Sequence, residues 1–189
     1  MTAVYHNLAG GDFSQDWSNP DGITTSDNWD GVPSIVGFRG DGLAGSTGVN
    51  PQTVTGTSAV ADVNANVAAV TFNTGGVTEF ALENPTMALA GSGTARAPYL
   101  ALYMNAAGRE NIVLSFNARD LETTDNAVQP IAVQYRLGDE GPWIDLPEGY
   151  IADATTGGSA TQVTPVRVTL PAAANNAAAL QLRIMTTDA

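Results

Sequence analysis

The sequence has no cysteine, no lysine and a single histidine, His6. Without cysteine, the chain can form no disulfide, no thiolate metal site and no thiol nucleophile. Without lysine it lacks Schiff-base chemistry, and His6 has no serine or carboxylate beside it in a recognisable catalytic motif. The 19 acidic residues offer many carboxylate pairs for glycoside hydrolysis, but no pattern singles one pair out. We therefore expect a protein that is not an enzyme.

The chain also lacks any run of about 18 apolar residues, so no segment is predicted to insert into a membrane. Its first residues, MTAVYHNLAGGDF, lack the charged start and apolar centre of a signal peptide. We expect Met1 to replace a removed leader. An extracellular domain of this size can do without disulfides, since its core is large enough to hold it together.

Basic residues are scarce as well. Seven arginines against 19 acidic residues give a formal net charge of −12. Nucleic acid and anionic lipid are bound by clustered Lys and Arg, so a negative field of this size argues against both as partners. The same field favours solubility and attracts cations.

The pattern that is present is an alternation of period two. In residues 112–119 and 131–137, apolar and polar residues alternate, as Ile131, Val133 and Tyr135 do with Gln134 and Arg136. Alternation over seven or eight residues is typical of a half-buried strand, and we interpret the two runs as a facing pair joined by an acidic loop.

Further strands are predicted from shorter alternating or apolar runs. They lie at residues 3–9, 32–38, 52–55, 68–72, 77–83, 86–90, 98–104, 143–146, 162–170 and 179–187. We find no helix of ordinary length, no tandem repeat and no linker. The sequence therefore predicts one all-β domain over residues 1–189, an antiparallel, jelly-roll-like β-sandwich.

Aspartates concentrate in residues 11–31, and two interpretations of them stay open. Hard cations bind to several carboxylate and carbonyl oxygens on a flexible backbone, which predicts a structural calcium site from Asp12, Asp16, Asp27 and Asp30. A second acidic group, a further candidate for calcium, consists of Asp120, Glu122 and Asp125. Asp also favours turns by bonding its own backbone, so turn formation is the alternative. Trp17 and Trp29 in this segment either stack on a sugar or close one end of the core.

Polar side chains with planar groups recur at the outward positions of the predicted strands. By the alternation rule, they share a sheet face that suits a carbohydrate, because guanidinium groups, amides and tyrosine rings bind and stack on sugars. The candidate ligand-binding residues are Tyr99, Tyr103, Arg119, Gln134, Arg136, Arg167 and Arg183. The alternative is that these residues are cross-strand pairs on a solvated face, because alternation assigns faces without assigning neighbouring strands.

Residues 84–187, beginning NPTMALAGSGTARAPYLALYMN and ending AAALQLRIMTT, resemble a β-sandwich module of large secreted bacterial proteins. The segment DFSQDWSNPDGITTSDNWDGVPSIVGFRGDGL resembles the opening of the same module. The module recurs in cyanobacteria and proteobacteria, beside extracellular endonuclease/exonuclease/phosphatase, lamin-tail, Calx-β and calcium-binding repeat domains. The resemblance implies an extracellular, noncatalytic accessory domain and carries no catalytic residues.

Two functions are expected from these observations. The favoured one is a noncatalytic extracellular module that attaches to a polysaccharide or cell-surface glycan, with structural Ca²⁺. The alternative is a self-assembling subunit of a surface filament or layer, joined by strand exchange or sheet contacts. Modules of this kind continue past the RIMTT segment into a final strand, so we expect the C-terminal strand to be missing here or supplied by a partner.

Overall fold

The architecture is all-β, as the sequence predicts, and consists of two packed layers. The structure, a computed structural model, describes residues 4–121, 128–155 and 163–188. The strands are β1 (His6–Asn7), β2 (Ile35–Phe38), β3 (Asn64–Val67), β4 (Gly76–Phe80), β5 (Thr86–Ala90), β6 (Tyr99–Asn105), β7 (Val113–Arg119), β8 (Ile131–Leu137), β9 (Ile144–Asp145), β10 (Val163–Thr169) and β11 (Leu180–Thr186).

Short 3-10 turns are the helical elements of the described residues. They comprise Leu8–Gly10, Pro51–Thr53, Pro147–Gly149 and Ala172–Ala174. None of the helices in this part of the chain has the length and apolar character that crossing a membrane requires.

The first layer is a sheet centred on β11, which pairs antiparallel with β6 on one side and β8 on the other. These three strands have seven residues each, and β9 extends the sheet beyond β8. At the opposite edge, β6 pairs antiparallel with β2 and, further along, parallel with β1. The long alternating strands thus occupy the centre of the sheet, where both of their edges are hydrogen-bonded.

The second layer is divided into two pieces. One is an antiparallel ribbon of β7 and β10, and the other is a three-stranded sheet in the order β3–β4–β5. β10 packs against the turn at Pro147–Gly149, whereas β4 contacts β2 and β6. The two pieces therefore cover different halves of the first layer.

The hydrophobic core lies between the layers and is formed by the apolar positions of the alternating strands. It includes Leu102, Val133 and Leu182 from the first layer and Val168 from the ribbon. Trp29 is also buried there, and its indole Nε1–H donates to the Asp62 carbonyl over 3.2 Å. Trp29 therefore belongs to the core and is not accessible to a sugar.

The predicted pairing of residues 112–119 with 131–137 is wrong. These runs form β7 and β8, which lie in different layers: β7 pairs with β10, and β8 pairs with β11. Alternation shows that each run is a strand with one buried face, but it carries no information on the partner strand. Both β10 and β11 come from sequence-distant segments.

Weak strand predictions also failed where the apolar run was short. The third strand lies at Asn64–Val67 instead of 68–72, and residues 52–55 overlap a 3-10 turn. In the first predicted strand, 3–9, only His6–Asn7 pairs with a neighbour among the described residues. Short runs in segments rich in Asn, Thr and Gly have weak local preferences, so tertiary contacts decide their conformation.

A matched pair of glycines tests the packing of the loop after β2. Gly40 has φ +73°, and a Cβ atom there would lie 1.8 Å from the Ala97 carbonyl oxygen. Gly42 has φ +67° with no atom within 4 Å of its Cβ position. We expect Gly42→Ala to lower the free energy of unfolding by about 1 kcal/mol from backbone strain, and Gly40→Ala by about 3 kcal/mol or more. Denaturant unfolding measures both, and equal losses would contradict the packing.

Candidate functional site

Most of the predicted ligand-binding residues do converge on one face of the first layer. Arg136 lies directly opposite Gln181, and Gln134 directly opposite Arg183, across the β8–β11 pair. Tyr103 lies opposite Gln181 across the β6–β11 pair. Residues opposite one another point to the same side of a sheet. The alternation rule therefore placed these side chains on a common face correctly.

The predicted exposure of that face is wrong, because an irregular segment of the chain covers it. The residues concerned, Tyr99, Tyr103, Gln134, Arg136 and Arg183, are all at most 8% exposed. Residues 50–58, which we call the covering segment, hydrogen-bond to Tyr99, Gln134, Arg136 and Arg183, whereas Tyr5 packs against Tyr103. A sugar cannot reach these side chains in this conformation. We call Gln134, Arg136, Trp143, Gln181 and Arg183 the buried polar cluster.

Arg183, like Gln134, is a fully buried member of the buried polar cluster. Its Nε–H donates to the Gln134 amide oxygen over 2.6 Å, while Nη1 and Nη2 donate to the Gly56 and Val54 carbonyls over 2.7 and 2.5 Å. All three hydrogen bonds are charge-assisted. The guanidinium group therefore holds the covering segment by its backbone, at the centre of the sheet.

Gln134 holds the same segment from the neighbouring strand. Its amide nitrogen lies 3.1 Å from the Gln52 carbonyl and 3.0 Å from the Val54 carbonyl. At the far end, the Ser58 backbone N–H donates to the Tyr99 hydroxyl over 3.1 Å. The covering segment has little regular structure, so these side chains satisfy carbonyl groups that would otherwise be buried without partners.

Arg136 extends the cluster toward the surface. Its Nε and Nη2 both donate to the Gln181 amide oxygen, over 2.9 and 2.7 Å, and Nη1 donates to the Thr57 hydroxyl over 3.0 Å. The Gln181 amide nitrogen in turn donates to the Asp139 carboxylate over 2.9 Å. Gln181 thus links a buried cation to an exposed anion.

Trp143 lies against both guanidinium groups. The central guanidinium carbons of Arg136 and Arg183 each lie 4.5 Å from the centroid of its ring. Its indole N–H donates to the Thr57 hydroxyl over 3.1 Å. Cation–π contacts are strongest when the cation is desolvated, as both are here. Trp143 is not among the predicted site residues, although the repeated Gln-x-Arg of β8 and β11 is a signal for the cluster.

Burial has an electrostatic cost that the cluster offsets without ion pairs. Burial lowers the pKa of Arg183 to about 9, which is still above neutral pH, so the guanidinium group keeps its proton. Among the described residues, the ion pairs are Arg39–Asp41 and Arg96–Asp188. Neither buried arginine pairs with a described carboxylate. Amide and carbonyl oxygens and the indole face stabilise the two buried charges instead.

The other two predicted residues lie on the opposite layer. Arg119 and Arg167 are on the outward face of the β7–β10 ribbon, where Arg167 lies opposite Ser115. We call this surface the ribbon face; its members are Val113, Ser115, Asn117, Arg119, Val163, Pro165, Arg167 and Thr169. It contains no carboxylate. Arg119 is fixed by hydrogen bonds from Nε to the Thr86 hydroxyl and from Nη2 to the Asn84 carbonyl.

The aspartates predicted to bind calcium do not converge among the described residues. Asp12, Asp16, Asp27 and Asp30 are all exposed. Asp16 accepts hydrogen bonds from the backbone and hydroxyl of Ser18. This is the turn chemistry of the alternative interpretation.

The second acidic group lies only partly within the described residues. Asp120 is buried, and Glu122 and Asp125 lie outside the described residues. Within 4–121, 128–155 and 163–188, no three His, Cys, Asp or Glu residues are grouped to hold a metal. Calcium binding stays a prediction.

An open groove lies between β9 and β10, on the side of the sandwich. Its volume is about 360 Å³, and its lining includes Tyr135, Leu146 and Val168. The ionisable side chains of its lining are Asp145 and Glu148, both acidic. An anionic ligand is therefore disfavoured in this groove, in contrast to the ribbon face.

The role of Arg183 is testable against Arg167, because the same substitution can be made at a buried and an exposed arginine. Arg183→Met removes the guanidinium donor from the Gln134 amide oxygen and the Gly56 carbonyl, and one of the two side-chain donors from the Val54 carbonyl. We expect it to lower the free energy of unfolding by about 3–5 kcal/mol. Arg167→Met changes an exposed side chain and is expected to alter stability by about 0.5 kcal/mol or less. Comparable losses in urea unfolding would contradict the assigned role.

Tyr103 predicts how stability depends on alkaline pH. Burial raises the pKa of its hydroxyl to about 12, whereas a tyrosine in the unfolded chain titrates near pH ~10. The unfolded protein therefore releases this proton first, and the free energy of unfolding falls as the pH rises from about 10 to 12. Tyr103→Phe removes this contribution and makes the fall shallower. Urea unfolding at several alkaline pH values measures it; equal slopes in both proteins would refute the prediction.

Comparison with known proteins identifies no relative for this chain. No protein-family model matches the sequence. No curated protein and no solved structure is significantly similar to it. The resemblance to the secreted bacterial module therefore stays a prediction.

Proposed function

We propose that this domain is a noncatalytic extracellular module that attaches to an acidic cell-surface polysaccharide through the ribbon face. The observation that carries the proposal is the placement of Arg119 and Arg167. Both lie on one outward face with no carboxylate on it, in a chain whose formal net charge is −12. The proposal keeps the carbohydrate function expected from the sequence and moves its site to the opposite layer.

The distribution of the arginines supports the ribbon face over other surfaces. Of the seven, Arg136 and Arg183 are buried, and Arg39 and Arg96 form ion pairs. The three that remain are Arg109, Arg119 and Arg167, and two of them share the ribbon face. Guanidinium groups bind carboxylate and sulfate in a bidentate manner. An anionic polymer would meet these groups without having to displace a carboxylate of the same face.

The rest of the ribbon face suits a sugar chain. Ser115, Asn117 and Thr169 are exposed and present hydroxyl and amide groups for sugar hydroxyls. Val113 and Val163 are 37% and 51% exposed and offer apolar surface for the C–H faces of the rings. A mixture of fixed charge, hydrogen-bonding groups and small apolar side chains is what an oligosaccharide requires on a flat surface.

The spacing of the two arginines favours a polymer over a small molecule. Arg119 of β7 lies opposite Val163 of β10, and Arg167 is four positions beyond Val163 along β10. Four residues of an antiparallel strand span about 13 Å. A ligand that contacts both guanidinium groups must therefore carry anionic groups on more than one sugar unit.

Binding to charged and neutral polysaccharides tests the proposal. We expect the protein to bind polygalacturonate or alginate and not dextran, with affinity that falls as the salt concentration rises. Arg167→Gln should weaken binding about tenfold or more, since a charge-assisted hydrogen bond contributes about 1.5–3 kcal/mol. The matched control is Arg109→Gln, which removes the same charge from an exposed position outside the ribbon face.

Two results would overturn the proposal. One is the absence of binding to every acidic polysaccharide at low salt. The other is an equal loss of affinity in Arg167→Gln and Arg109→Gln, because that loss would reflect net charge and not a site. Urea unfolding of both variants establishes that each remains folded.

A further inference from the structure

The first described residues form an arm with few contacts to the rest of the domain. We call residues 4–7 the N-terminal arm. Its backbone pairs with β6 over only two residues, His6 with Met104 and Asn7 with Asn105, and in the parallel direction. Val4 is 60% exposed. Two side chains attach the arm further: the His6 ring, which contacts the Gly11 carbonyl and the Phe13 ring, and Tyr5.

Tyr5 occupies a socket built from three separate elements. Its hydroxyl donates to the Asp139 carboxylate over 2.5 Å and accepts from the Gln181 amide over 2.7 Å. Its ring meets the ring of Tyr103 edge to face, with centroids 5.6 Å apart. The socket is therefore specific for a phenol that can both donate and accept a hydrogen bond.

The socket would be costly to leave empty. Gln181 and Tyr103, which Tyr5 covers, are only 1% and 8% exposed. Gln181 also accepts both hydrogen bonds from the Nε and Nη2 groups of buried Arg136. Loss of Tyr5 would expose this end of the buried polar cluster to water. An arm that leaves its own socket is therefore best replaced by another arm of the same sequence.

The segment that follows the arm can serve as a hinge. Gly10 and Gly11 separate the arm from residue 12, and no atom lies within 4 Å of a Cβ placed on either. Gly11 has φ 153° and ψ 162°, a backbone conformation open to glycine alone. The His6 Nε2 atom lies 3.0 Å from the Gly11 carbonyl oxygen, and Leu8 packs against the core. An arm that leaves through the hinge loses these contacts in its own molecule and can make them again in a second copy.

We propose that the N-terminal arm exchanges between copies, so that Tyr5 of one copy fills the socket of a second. Exchange recreates the same contacts between molecules that the structure shows within one, which is why it needs no new interface. Reciprocal exchange between two copies gives a closed dimer, and exchange from each copy to the next gives an open filament. The charge of −12 on each copy opposes assembly, so exchange should increase with salt.

Shortening the hinge tests the proposal without touching the ribbon face. We expect deletion of Gly10 and Gly11 to strain the arm in its own socket while leaving it free to reach another. We expect the molar mass measured by light scattering to double or to increase further. Adding Tyr5→Ala to the shortened chain should return it to the monomer mass. The control is deletion of Gly45, another glycine with no atom near its Cβ position.

A second experiment applies if the shortened chain does not fold. The full-length Tyr5→Ala variant has an open socket, and a fluorescent peptide of residues 4–9 should bind it several-fold more tightly than the parent chain. The same peptide with Phe at the Tyr5 position should bind more weakly, because it lacks the hydroxyl. A monomeric, folded hinge-shortened chain, oligomers that persist with Tyr5→Ala, or no difference in peptide binding would each overturn the proposal.

Discussion

Two buried guanidinium groups impose the constraint on which the rest of the structure depends. Arg136 and Arg183 lie on adjacent strands of the central sheet, each directly opposite a glutamine. A buried cation without hydrogen-bond partners is prohibitively unfavourable, so this face of the sheet must be covered by groups that accept hydrogen bonds. The covering segment supplies backbone carbonyls to Arg183 and the Thr57 hydroxyl to Arg136, which explains how an irregular stretch of chain is held against a sheet. The guanidinium groups and the covering segment thus satisfy one another, and neither would be stable there alone.

This arrangement decides which surfaces remain for function. Arg136 and Arg183 of the central sheet are buried and bind other groups of the protein. Of the three arginines that are neither buried nor ion-paired among the described residues, two lie on the ribbon face. The same cluster reaches the surface at one point, where Gln181 contacts Tyr5 and Asp139. The N-terminal arm is therefore attached to the buried polar cluster itself. Glycan attachment and arm exchange use opposite layers of the sandwich, so the two proposed activities are physically independent.

Much of the fold follows from local sequence, but the environment of the polar residues does not. Period-two alternation identified the long strands and placed Gln134, Arg136 and Arg183 on one face. It could not show that residues 50–58 cover that face, because alternation describes two sides of a strand and not what lies beyond them. Alternation predicts a solvated outward face, and arginine fits that prediction because it is rarely buried without a partner. The repeated Gln-x-Arg on β8 and β11 contained the missing information, because antiparallel pairing brings each arginine opposite the other strand's glutamine.

The partner of each strand is the other feature that lay beyond the sequence. β7 and β8 are adjacent in the chain and similar in pattern, yet they belong to different layers. The most direct test of the central claim is hydrogen exchange at the arginine side chains, measured by NMR on the folded protein at neutral pH. If the buried polar cluster exists, the Nε–H of Arg183 exchanges as slowly as the backbone amides of β11, while that of Arg167 exchanges rapidly. Rapid exchange at Arg183 would show that its guanidinium group meets solvent and would contradict the cluster.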